Sequence, residues 1–239
     1  MQVHVINVDR DADRWERFMR LNGDVIDVVR VPTSDGVRAV DRADLVESGI
    51  IAETCRRSNR AISRWGAHIA LWSRAVGSGE TVTIVDDDAV LAGNFRSAAQ
   101  QVIDGLASGW DIVMWGWSFD EALWTEIPDG VSVCRIEANN EEMRKHIDGF
   151  PSSCGSPTAL RLRHCFGSFA YTVTPAGAQV LLDACLPLTD EPITFSCGGV
   201  VVDDPARDAD VNKALPAMDA HVCVPPLALK DHRMGLSPF

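Results

Sequence analysis

Three consecutive aspartates, Asp86, Asp87 and Asp88, follow the apolar run Val82-Thr83-Ile84-Val85 and precede Ala89-Val90-Leu91. Four residues rich in β-branched side chains read as a buried strand. A buried carboxylate without a partner is very costly. The three are therefore expected at the strand's exposed end, joined by something cationic. Ligands of open α/β sheets bind at the carboxyl ends of strands. Paired carboxylates on a tight turn suit a hard divalent cation that completes its shell with waters and a diphosphate. A solvated acidic turn is the plainer reading, and three aspartates after a buried strand weigh against it.

The elements that must position this turn alternate along the chain. Val3 to Val8 reads as a strand and Asp11 to Leu21 as a helix with Trp15, Phe18 and Met19 on one face. Val25 to Val31 is a strand, closed by Pro32 and the turn Ser34-Asp35-Gly36. Residues 37 to 60 show no clear period. Ala61 to Val76 is a helix with the stripe Ile62, Trp65, Ile69, Trp72 and Val76, stopped by Gly77 and Gly79. Phe95 to Leu106 is a helix, and Asp111 to Trp115, Val131 to Ile136 and Ser168 to Val173 are strands. Pro175 to Cys185 is a helix with proline near its start. Val222 to Phe239 reads as strand, then coil. Residues 137 to 165, rich in charge, Ser, Gly and Pro, read as a long mobile loop that closes over a bound ligand. Alternating units imply one α/β domain over 1 to 239, with a mainly parallel sheet and helices on both faces.

The chain has 239 residues, 46% of them hydrophobic, enough for one large domain with a substantial core. Its net charge of −12 argues against a nucleic-acid partner. Seven cysteines, an odd number with no C-x-x-C pair, fit neither a zinc site nor a disulfide framework. Scattered thiols fit a reducing cytoplasm. Met1 to Asp9 reads as a strand, not a signal peptide. No apolar run approaches the ~18 residues of a membrane span. The expected location is cytoplasmic, at most peripheral at the inner face of the membrane.

Five blocks then fall into a familiar order. Val5-Ile6-Asn7-Val8-Asp9-Arg10, with Arg14 and Arg17 beyond, resembles the "VINLDR…R" opening of glycosyltransferase family 25, which includes lipooligosaccharide glycosyltransferases and collagen galactosyltransferases. Thr33-Ser34-Asp35-Gly36 resembles that family's "A-x-D-G" turn. Gly66 to Trp72 resembles its "G-C-x-x-S-H-x-x-x-W" helix, with the histidine moved in register. Ile84 to Leu91 resembles "LEDDVVL", with Asp86 in place of glutamate. Phe166 to Tyr171, with Gly177-Ala178 and Leu181-Leu182, resembles "G-T-x-A-Y-L-I-S-x-x-G-A-x-x-L-L". The family's later "P-x-D" is not kept, since Thr194 stands where an aspartate is expected.

The resemblance implies a GT-A-like α/β/α sandwich. It implies metal-dependent, inverting transfer of a hexose, galactose first, from a UDP-sugar to a glycan, glycolipid-precursor or small-molecule hydroxyl. Asp86 and Asp88 would hold Mn²⁺ or Mg²⁺. Asn7, Asp9, Arg14, Asp35, Gly36, His68, Asp86 and Asp87 would lie around the donor. Gly167 and Ser168 would let backbone approach its sugar. An inverting transferase needs a general base, and Asp190, Glu191 and Asp120 are candidates, Asp190 first. Asp210 is a further stand-in for the missing aspartate. For Arg14 a solvated helix face is as good a reading, and for His68 a hydrogen-bonded core role is favoured. Trp110, Trp115, Trp117 and Trp124 are core residues first, with a sugar platform near Asp120 and Glu121 the alternative.

Two other classes stay open. Val82 to Leu91 also fits the "hhhhDxDx(T/V)" signature of haloacid-dehalogenase-type phosphatases, with Asp86 as nucleophile, Asp88 as acid/base, Lys145 as the lysine and Val201 to Asp204 as the later acidic motif. A non-catalytic nucleotide-sugar-binding module would keep the fold without turnover.

Overall fold

A computed structural model describes residues 1–33, 41–191, 193–194, 201–202, 210–231 and 233. In chain order the elements are β1 (Gln2–Val8), α1 (Ala12–Asn22), β2 (Asp27–Thr33), α2 (Arg42–Glu47), α3 (Asn59–Ser78), β3 (Val82–Asp86), β4 (Ala89–Leu91), α4 (Phe95–Gly105), β5 (Ile112–Met114), β6 (Leu123–Glu126), β7 (Val133–Ile136), α5 (Asn140–His146), β8 (Thr158–His164), β9 (Ala170–Val173), α6 (Pro175–Cys185), β10 (Ile193–Thr194), β11 (Val201–Val202), α7 (Val211–Ala214), β12 (Ala220–Val224) and β13 (Ala228–Lys230).

Nine strands form one sheet in the order β2-β1-β3-β9-β5-β12-β8-β6-β7. Six of them point the same way, as a mainly parallel sheet requires. The sheet is nonetheless mixed: β9 runs antiparallel to both β3 and β5, and the β12-β8-β6-β7 end is antiparallel throughout. The local α/β alternation cannot show this, because β9 enters between two strands that precede it by many residues.

Helices cover both faces. On one, Trp65, Trp72 and Leu71 of α3 and Leu181 of α6 pack on Ile84, Met114 and Tyr171. On the other, Phe18 of α1 and Phe95, Ala98 and Val102 of α4 pack on Val3, Val5, Val85 and Trp115. Of the apolar stripes read from the sequence, Phe18, Ile62, Trp65, Ile69 and Trp72 are buried, Trp15 and Met19 are half-buried, and Val76 is 37% exposed.

The segment 137 to 165 is not a structureless loop. Asn139 caps α5 by accepting from the Glu142 amide, a short helix that buries little beyond Met143. A 3-10 turn spans Ile147–Ser152, and β8 then pairs with β12 and β6. Leu160 and Leu162 alternating with Arg161 and Arg163 is a strand pattern that the surrounding Ser, Gly and Pro residues conceal. Other elements were also not expected, among them α2, capped by Asp41, β6, and β13 in the tail. Among the described residues no helix is long and apolar enough to cross a membrane.

Candidate functional site at the carboxyl end of the third strand

The aspartate turn sits where β3 leaves the sheet, and three backbone hydrogen bonds fix it. Asp86 N–H donates to Phe169 O at 2.7 Å, and Asp87 N–H to Ile6 O at 3.2 Å. Beyond the turn, β4 is held on one side by β13. On its other side the fully buried Asn22 acts as a substitute strand, donating to Ala89 O at 3.0 Å and accepting from Leu91 N–H at 2.9 Å. The β13 pairing also carries Lys230 and Asp231 to the turn, where Asp231 N–H donates to Asp88 O at 2.8 Å.

The three carboxylates are not at an exposed end: their side chains are 9%, 8% and 12% exposed. The cations that compensate them belong to the chain itself. Arg64 donates to Asp86 Oδ2 at 2.7 Å. Arg14 donates to Asp87 Oδ1 through Nη2 at 2.5 Å and Nε at 3.0 Å, and its Nη2 lies 3.3 Å from Asp88 Oδ2. Lys230 Nζ is 3.8 Å from Asp88 Oδ2. Arg14 is therefore a buried partner of the turn rather than a solvated residue, and its Nη1 has no hydrogen-bond partner. Burial pushes the Asp87 carboxyl above its ordinary range, while Arg14 and Asn7 pull it back. Beside this lies a second ionic run: Arg17 pairs with Asp231, and Arg233 joins Asp231 to Asp148.

The other residues singled out by sequence divide into those beside the turn and those away from it. Asn7 is buried and donates to Asp87 Oδ2 at 2.7 Å, while its Oδ1 accepts from Arg30 at 2.6 and 3.0 Å. Asp9 is exposed, 3.7 Å from Arg30. His68 is buried behind Asp86, its Nε2 3.7 Å from Asp86 Oδ1 and its Nδ1 2.8 Å from Tyr171 Oη. Trp72 Nε1 donates to the same hydroxyl at 2.8 Å, so His68 is held from behind as the core reading expects. Gly167 takes φ +85°, and Phe169 just beyond binds the Asp86 amide, which places Gly167 and Ser168 next to the turn. Asp35 and Gly36 lie outside the described residues.

The proposed bases lie elsewhere. Asp190 accepts from the Arg56 amide and sits 3.9 Å from Arg57. Asp210 is fully buried in a bidentate pair with Arg57, at 2.5 and 3.1 Å, with Lys213 at 2.8 Å. Glu191 is exposed, and Asp120 is exposed against Asn140 and Arg144. Lys145 pairs with its neighbour Glu142 at 2.6 Å on α5, and Asp203 and Asp204 lie outside the described residues. Burial pushes the thiols of Cys165, Cys185 and Cys223 up to about 12, which leaves them unreactive.

For a divalent cation, one observation bears on fit. Asp88 Oδ1 is buried and has no hydrogen-bond partner, while Arg14 and Lys230 lie against the other oxygen, Oδ2. Asp87 is committed to Arg14 and Asn7. Among the described residues no cluster of three or more His, Cys, Asp or Glu side chains is arranged to hold a metal, so any cation here would rest on one or two carboxylates and on its ligand. Arg17, Arg64, Lys230, Asp231 and Arg233 are the site residues whose part the sequence did not reveal. No family model matches the chain, and no curated protein matches it. Fold and site together define an α/β protein with a buried, arginine-compensated acidic turn at a strand's carboxyl end.

Proposed function

We propose that the chain is a metal-dependent inverting hexosyltransferase of GT-A-like fold, taking galactose first among hexoses from a UDP-sugar to a hydroxyl acceptor. The observation that carries this is the buried Asp88 Oδ1, which has no hydrogen-bond partner in a turn of three carboxylates at a strand's carboxyl end. Asp88, with Asp86, would hold Mn²⁺ or Mg²⁺. When bound, the cation neutralises charge that builds on the departing diphosphate. Arg14 and Asn7 hold the turn rigid by fixing Asp87, and Arg64 orients Asp86. Lys230 and Arg17 bring positive charge to the same edge, which suits a diphosphate. Gly167 and Ser168 lie where backbone can approach the sugar.

The base that takes the acceptor's proton must be a carboxylate outside the turn. Asp190 and Glu191 follow Leu188, which is stapled to Ile51 and Ala52, and Asp190 remains first choice. Asp210 is too deeply paired with Arg57 to serve. The phosphatase reading has less support: Asp86 is buried against Arg64, and Lys145 is engaged with Glu142. The acceptor reading extends to a cytoplasmic glycan, glycolipid precursor or small metabolite.

The test is ligand-induced stabilisation. A ligand that binds only the folded state raises apparent stability by mass action. UDP-galactose with Mn²⁺ is expected to raise Tm, and UDP-galactose alone to do much less. Asp88→Asn should fold with near-normal Tm and lose the metal-dependent part. Unchanged Mn²⁺-dependent stabilisation in that variant would sink the assignment.

A further inference from the structure

Trp117 is 3% exposed, yet its indole Nε1–H has no hydrogen-bond partner. Indole nitrogen is a donor only, so nothing can satisfy it but an acceptor brought to it. Buried donors in native proteins are otherwise nearly always paired, and each exception calls for an explanation. Two other buried core tryptophans obey the rule: Trp72 donates to Tyr171 Oη at 2.8 Å and Trp115 to Thr172 Oγ1 at 2.9 Å.

The position of Trp117 supplies the explanation. It lies in the segment that leaves β5, wedged tightly on both sides. Leu227 and Ala228 N–H both donate to Trp115 O, at 2.8 and 3.0 Å. At Gly116 a Cβ would stand 2.1 Å from Ala228 O, so only glycine allows β13 this close. On the far side Ser118 N–H donates to Phe166 O at 2.7 Å, and a Cβ on Gly167 would stand 3.0 Å from Ser118 N. Two residues later Phe169 O accepts from the Asp86 amide. Two Cα steps of about 3.8 Å each separate Gly167 from Phe169. The Trp117 segment is thus tied to the aspartate turn through Gly167, Ser168 and Phe169. Aromatic rings pack beside this connection: Phe119 on Trp117 at 5.1 Å, and Phe166 on His164 at 4.8 Å.

Resting on the function proposed above, we infer that the Trp117 indole N–H is a specificity donor for the hexose of the nucleotide sugar. A hexose hydroxyl accepts from Nε1, and the apolar C–H face of the ring lies on the aromatic surface. The neighbouring Phe119 ring is only partly buried. The nucleotide and its diphosphate make no use of Trp117.

The test separates sugar from nucleotide. The full chain, with its seven tryptophans labelled with ¹⁵N on the indole, is titrated with UDP-galactose or UDP in the presence of Mg²⁺. The Trp117 resonance is identified by its loss in Trp117→Phe. It is expected to move with UDP-galactose and to stay in place with UDP. Trp117→Phe removes the unsatisfied donor and keeps an aromatic ring, so the ligand-free protein should be at least as stable as the parent. Its affinity for UDP-galactose should fall about tenfold, as for the loss of one buried hydrogen bond. Its affinity for UDP should change by less than about twofold. Equal UDP-galactose affinity in parent and variant, or an indole resonance that moves alike with both ligands, would overturn the inference and leave Trp117 as a core residue. Failure of the parent chain to bind UDP would instead overturn the reading of the aspartate turn.

Discussion

Arg14→Met is expected to cost about 3–5 kcal/mol of folding stability, because it strands a charge in a buried site. Arg14 and Asp87 are side chains only 9% and 8% exposed, joined at 2.5 Å. Without the guanidinium, Asp87 faces Asp88 with only the amide of Asn7 to help it. Arg14→Met combined with Asp87→Asn should recover at least half of the loss, since removing both charges of a buried pair is often nearly neutral. Urea denaturation of the parent, both single variants and the double variant measures the coupling. A loss below about 1 kcal/mol for Arg14→Met is what a solvated pair gives, and it would show that the turn is open to water.

Stability should also fall on the acid side through His164. Its ring is 2% exposed, and burial pulls the imidazole from 6.5 down to about 4, with the Asn212 hydrogen bond opposing. The folded chain therefore holds this group neutral where the unfolded chain would protonate it. The penalty begins as pH falls below about 6.5 and is complete below about 4. A depression of this size corresponds to about 3 kcal/mol. His164→Gln should flatten that part of the stability–pH curve relative to the parent. Parallel curves for the two proteins between pH 6.5 and 4 would mean that His164 titrates normally.

Elements with strong local period were legible: α1, α3, α4 and α6 by their apolar stripes, β3 and β9 by their β-branched and aromatic runs. Elements that draw stability from partners distant in sequence were not. The α5 helix is seven residues long with one buried side chain, so its cap is almost its whole signal. The β13 strand is three residues long and exists because β4 accepts it as a neighbour. The acidic turn itself was readable, but its surroundings were misjudged as open. The reason is the same in each case. Arg64 is 22 residues from Asp86, Arg14 is 73 from Asp87, and Arg17 is 214 from Asp231. Nothing local marks such pairs, so the requirement for a cation could be derived while its source could not. Trp117 was placed among the core tryptophans, and only the hydrogen-bond inventory of the folded chain sets it apart from Trp72 and Trp115.

The most direct test of the account is the reaction itself. The protein is incubated with UDP-galactose, Mn²⁺ and a panel of hydroxyl acceptors, and the product is read by NMR. Burial keeps Cys165, Cys185 and Cys223 protonated, and a single displacement assisted by one carboxylate is the simplest route. The account expects UDP release that depends on the divalent cation, with galactose joined to the acceptor in the β configuration. An α-linked product would contradict inversion, and phosphate release from phosphomonoesters without sugar transfer would contradict the transferase reading altogether.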